Sequence, residues 1–150
     1  MSEGSRRLES ALGGGLYHTS TPAGKPACLF KTLYTNACFH ECRYCSNASN
    51  CKSRSRTFTY SPQELAKITM NLYRGNYTRG LFLSLGMGNN EDATMEEMIE
   101  TVRLLRERYH FGGYVHLKIL PGSSRDHIRQ AMELADRVSV DVNVGGKNRE

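Results

Sequence analysis

The sequence predicts an α/β fold, a parallel sheet of about four strands joined by right-handed crossover helices. Three observations predict it. Short apolar runs alternate with longer stretches of helical periodicity. Each helical stretch opens on a Ser or Thr cap. Glycine or proline stops the strands where parallel strands would hand over to the next turn. A chain of 150 residues has one domain's length and enough material for a core.

Residues 1–27 are rich in Gly, Ser and Thr, with Gly13-Gly14-Gly15, Pro22, Gly24 and Pro26. They read as an irregular lead-in to a domain spanning 28–150. The first strand is expected at about Cys28–Thr35. A loop through about residue 60 follows. Ser61-Pro62-Gln63-Glu64 combines a capping box with proline at the first helical position. Leu65, Ile68, Leu72 and Tyr73 form that helix's inward stripe, and Gly75 stops it.

Leu81-Phe82-Leu83-Ser84-Leu85 is a short apolar run suited to a buried parallel strand. Thr94 with Glu97 reads as a second capping box. Met98, Ile99, Val102 and Leu105 carry that helix to about Arg108, before Gly112-Gly113. Tyr114–Leu120 is the third strand, ended by Pro121-Gly122. Ser123 or Ser124 caps a helix with Ile128, Ala131, Met132 and Ala135 inward. The fourth strand is about Arg137–Val144. Its apolar Val138, Val140 and Val142 alternate with Ser139, Asp141 and Asn143. In such a sheet, functional groups collect at the C-terminal ends of the strands.

Composition excludes several classes. No apolar run is long enough to span a membrane, and Met1–Arg7 is polar rather than a secretory leader. Five cysteines, an odd number with three clustered, do not make a secreted disulfide framework. A reducing cytoplasm is the expected compartment. Net charge is +5 and the isoelectric point about 9.0. That balance suits a polyanionic partner without requiring one.

The chemistry is concentrated in Cys38-Phe39-His40-Glu41-Cys42-Arg43-Tyr44-Cys45. Thiolates this close together are ligands for a soft metal centre. Three of them leave one iron of a [4Fe–4S] cubane without a protein ligand, whereas an electron-carrier ferredoxin supplies four. An iron with an open position can bind a substrate or cofactor. The competing reading is zinc, held by the three cysteines with His40, Cys51 or Cys28.

The spacing, with an aromatic just before the last cysteine, resembles the signature of the radical S-adenosylmethionine (radical SAM) superfamily. The resemblance implies a cluster on Cys38, Cys42 and Cys45, with SAM on the open iron and Tyr44 near its adenine. It implies reductive cleavage of SAM to methionine and a 5′-deoxyadenosyl radical, and a flavodoxin- or ferredoxin-like reductant. Further stretches resemble the radical SAM family described as putative DNA modification or repair proteins. These are His18 with Thr21–Gly24, Leu33–Cys38, Phe58–Leu65, Asn76-Tyr77 with Gly80–Ser84, and Gly113–Lys118. A nucleic-acid substrate is what that likeness implies. Lys52, Arg54 and Arg56 could steer phosphates to the cysteine run, or form a solvated loop.

Members of the superfamily usually carry six βα units, and only four strands fit here. The resemblance therefore implies a truncated barrel: a fragment, a remnant, or a half barrel needing a partner at its open edge. Family members also place a Gly-Gly-Glu-like turn after the second strand. Here the place reads Ser84-Leu85-Gly86-Met87-Gly88, so Ser84 and Gly86 are the SAM candidates and the glutamate is missing. Asp141 and Asn143 are candidates for SAM's ribose. Lys118 and His116 share a face with Tyr114, and basic groups on a core strand need a partner or a wet cavity. The alternatives are a non-catalytic cluster-binding remnant and a zinc-dependent nucleic-acid-binding module.

Overall fold

The computed structural model describes residues 15–21, 23–37, 58–85 and 91–140. Five strands and three α-helices alternate: β1 (Gly15–Ser20), β2 (Pro26–Leu33), α1 (Pro62–Arg74), β3 (Gly80–Ser84), α2 (Glu91–Arg103), β4 (Tyr114–Ile119), α3 (Arg125–Leu134) and β5 (Arg137–Val140). A π-helical turn, Leu104–Arg108, continues α2. The strands form one sheet in the order β1-β2-β3-β4-β5. β2 to β5 run parallel, and β1 pairs antiparallel with β2 from Gly15 opposite Lys31 to Ser20 opposite Pro26.

The four parallel strands begin within about two residues of the places the sequence predicts, and residues 141–144 of the expected fourth strand lie outside the described residues. The lead-in does not: residues 15–20 form a strand. Gly15-Leu16-Tyr17-His18-Thr19-Ser20 has little apolar alternation of its own. Its strand character comes from the ladder with β2, which closes through a turn in which Thr21 N–H donates to the Lys25 carbonyl at 2.8 Å. Gly24 has φ +74° there, a conformation glycine adopts without strain.

Parallel neighbours share faces. Phe30, Leu81, Leu83, Val115, Leu117 and Ile119 point to one side, and there they join a single core with Leu65, Ala66, Leu72, Met95, Met98, Val102, Leu105 and Ala131 from the helical layer. All three helices thus cover one face. Sequential strand order with the helices on one face is single rather than double winding. The sheet is open, not closed: β1 and β5 are its edges among the described residues.

Local signals explain the helix ends. Ser61 Oγ accepts from Glu64 N–H at 3.2 Å, and Glu64 Oε2 accepts from Ser61 N–H at 3.0 Å, completing the capping box. Gly75 caps the C-terminus of α1. Ser124 Oγ accepts from His127 N–H at 3.2 Å and caps α3. The Thr94 box is not a cap, because α2 already begins at Glu91. Met132 is not inward: it is 62% exposed, while Ala131 fills the core position.

Gly80 is a packing requirement. A Cβ there would run into the Tyr114 carbonyl across the β3–β4 ladder and press on Leu29. Arg106, in the π-helical turn, ties three elements together. Nη1 donates to the Phe111 carbonyl at 2.7 Å and the Gly113 carbonyl at 2.9 Å, and Nε to the Leu134 carbonyl at 3.1 Å. Nη2 pairs with Asp136 Oδ2 at 2.7 Å, and that same oxygen accepts from Val115 N–H at 2.8 Å.

Candidate functional site

The C-terminal end of β2 delivers the cysteine run, and the residues flanking the run are fixed to one another. Asn36, 2% exposed, accepts from Phe58 N–H on Oδ1 at 2.7 Å, and its own N–H donates to the Phe58 carbonyl at 3.3 Å. Thr35 Oγ1 donates to the Phe58 carbonyl at 3.0 Å and accepts from Ala37 N–H at 3.1 Å. Tyr60 N–H donates to the Tyr34 carbonyl, and Tyr34 N–H to the Ser84 carbonyl at 2.7 Å. The segment 38–57 is thereby entered and left at one point, beside the end of β3. Buried amides and hydroxyls in a loop base need such partners.

Cys38, Cys42 and Cys45 lie outside the described residues, as do Tyr44, Gly86, Asp141 and Asn143. Among the described residues, no three His, Cys, Asp or Glu side chains converge to hold a metal ion. A three-ligand centre would therefore need residues beyond them, and the cysteine run is the chain's clustered soft-donor set. Cys28 is half-buried in β2. Roughly 16 Å of extended strand separates it from Leu33, so it sits at the opposite end of the sheet from where the run begins.

Ser84 and Lys118 are described, and both are half-buried. Ser84 lies one step beyond the Leu83–Leu117 pair and Lys118 opposite Ser139. Both belong to the face away from the helices, toward the C-terminal end of the sheet. The structure thus brings these two candidates to one region, next to the base of the cysteine loop.

The same face carries a row of polar and aromatic groups. Lys31 Nζ stands 5.4 Å from the Tyr17 ring centre and 5.3 Å from that of Phe82. Phe82 meets the His116 ring edge-on at 4.3 Å. His116 Nε2 and Ser139 Oγ are 2.7 Å apart. The sequence placed His116 and Lys118 on Tyr114's face; the partners of His116 prove to be a hydroxyl and an aromatic ring rather than carboxylates.

Burial, and after it the charges of Arg137 and Lys118, hold the His116 pKa down to about 4 from 6.5. The folded ring is neutral at pH 7. Unfolded chain takes up this proton near pH 6.5, folded chain only near pH 4. The stability held here is complete above pH 6.5 and falls as pH drops toward 4, by up to about 3 kcal/mol. Urea midpoints should therefore fall between about pH 7.5 and pH 5, and His116→Gln should reduce that fall. An equal fall in the variant would remove His116 as its source.

Sequence reading gave no weight to a second region, between the helices. A groove of about 400 Å³ is lined by Pro62, Glu96, Glu100, Arg103, His127 and Gln130, among others. His127 stands 3.5 Å from both Asp92 Oδ1 and Glu96 Oε1. The i, i+4 spacing of Asp92 and Glu96 was the available signal. Nearby, the Tyr34 hydroxyl is buried beside the Glu97 carboxylate. Burial first, and the Glu97 carboxylate second, push its pKa above the usual phenol range.

No helix among the described residues is long and apolar enough to cross a membrane. Comparison with family models, with curated proteins and with solved structures returned no match to this chain.

Proposed function

We propose that this chain binds a [4Fe–4S] cluster through Cys38, Cys42 and Cys45 and uses its open iron to bind and reductively cleave SAM, as the radical SAM resemblance implies. One observation carries the reading: the cysteine run springs from a loop base held by Asn36 and Phe58 at the C-terminal end of a singly wound parallel sheet. That end is where α/β sheets of this kind gather reactive groups. The donor set fits the group, because three thiolates are soft ligands and three is one fewer than a cubane's irons.

When bound, the cluster supplies a single electron to the sulfonium of SAM. The residues' part is positioning. The loop base holds the point of entry for the cysteines rigid. Ser84 offers a hydroxyl for a polar group of SAM. Lys118, on the same face, offers a cation for a carboxylate. Modification or repair of nucleic acid is the substrate reading that goes with this family. The activity further requires a low-potential reductant.

Anaerobic reconstitution with iron and sulfide, followed by electron paramagnetic resonance of the reduced protein with and without SAM, tests the reading. The expected outcome is a [4Fe–4S] signal that changes when SAM is added, followed by release of 5′-deoxyadenosine. A cluster indifferent to SAM would reduce the chain to a cluster-binding remnant. Tight zinc with no cluster would overturn the proposal.

A further inference from the structure

At the other end of the sheet, where the parallel strands begin, the helix-free face holds a cavity of about 150 Å³. Its walls include the rings of Tyr17, Phe82 and Tyr114, with Thr19 on the hairpin side and His116 and Arg137 on the other. A cavity of this volume holds about one six-membered ring. Among the described residues, no carboxylate lines it. Arg137 forms no ion pair among the described residues, because Arg106 already engages the adjacent Asp136. Lys31 lies over the Tyr17 and Phe82 rings and adds to the positive potential. Burial first, and the Arg137 charge second, keep the His116 ring in this wall neutral.

These groups make complementary demands. Stacked or edge-on aromatic walls favour a flat, apolar body. An unpaired guanidinium favours a planar anion that can take two parallel hydrogen bonds. Inorganic phosphate would satisfy the second demand and leave the first unmet. A neutral ring would do the reverse.

We propose that this cavity is a binding site for a small aromatic or heteroaromatic carboxylate, its ring against the wall formed by Tyr17, Phe82 and Tyr114 and its carboxylate on Arg137. The site is remote from the base of the cysteine loop and does not depend on the cluster.

The test is a titration of the full chain, followed in two-dimensional amide NMR spectra at constant ionic strength, with benzoate, benzamide and inorganic phosphate as separate probes. Benzoate should give saturable shifts at Tyr17, Phe82, Tyr114 and Arg137, with a dissociation constant near ~1 mM, a value ordinary for a fragment of this size. Benzamide and phosphate should bind at least about tenfold more weakly. Arg137→Gln should weaken benzoate by about tenfold, roughly one charge-assisted contact. Arg129→Gln, which removes an exposed charge on α3, should leave benzoate binding unchanged. Equal responses to benzoate and benzamide would overturn the assignment to a carboxylate. Equal responses to benzoate and phosphate would reduce the site to general anion attraction. No saturable shift with benzoate would end the proposal whatever the variants do.

Discussion

Arg106→Ala should destabilise the fold by roughly 3 kcal/mol. Its guanidinium serves three backbone carbonyls and one carboxylate. The acceptors come from the loop before β4 and from the end of α3 and its link to β5, so one side chain pins both segments to the π-helical turn. Removing it strips the Phe111, Gly113 and Leu134 carbonyls of a charged donor and leaves Asp136 without its cation. Partial exposure, 23% at Arg106 and 45% at Asp136, lets water recover some of the loss, which is why the figure stays near that of two charged hydrogen bonds. In urea, with a slope of about 2 kcal/mol per molar, the midpoint should drop by about 1.5 M. Arg106→Lys should recover only a minor share, because an ammonium cannot present the same fork of donors. A loss under about 0.5 kcal/mol for Arg106→Ala would show that water replaces the guanidinium without penalty.

Replacing any one of Cys38, Cys42 and Cys45 with alanine should abolish a stable [4Fe–4S] cluster. Two thiolates leave two irons open, and an exposed cluster with two protein ligands loses iron. The measurement is iron and sulfide content after anaerobic reconstitution, with the paramagnetic signal of the reduced protein as a second reading. The unsubstituted chain should hold about four irons if the cubane forms. Cys28→Ala should hold as many as wild type, because β2 carries that thiol at the end of the sheet away from the loop base. Retention of a full cluster in all three single variants would sink the ligand assignment. Loss of it in Cys28→Ala with far-UV circular dichroism unchanged would move a ligand to β2 and revive the zinc-type set.

What was legible in the sequence was local. Ser61-Pro62 with Glu64, Gly75, Ser124 and Pro121-Gly122 mark element ends through contacts within a few residues, and the structure uses them so. The apolar runs at Leu81–Leu83 and Val115–Ile119 report burial by their own composition. What was not legible depends on distant partners. β1 is a strand because β2 lies beside it, not because Gly15–Ser20 looks like one. The Thr94-Glu97 pattern occurs inside a helix that starts one turn earlier. Met132 sits beside the buried Ala131 on the helix surface and turns outward. Arg106 is an ordinary helical arginine until Asp136, thirty residues on, is folded against it. At the candidate site, Ser84 and Lys118 fall on one face as strand alternation requires, and the cysteine spacing is legible because it is a pattern within eight residues.

The loop base divides the chain thermodynamically. Asn36 and Phe58 hold the ends of segment 38–57 together through their own hydrogen bonds, so the entropy of closing that loop falls on folding of the sheet and not on metal capture. If the proposed cluster binds there, cysteines tethered at both ends would lose less freedom on converging, which raises their effective concentration for one another. The sheet should then keep its cooperative unfolding with or without metal, and the length of the segment can vary at a cost that grows only with the logarithm of its size.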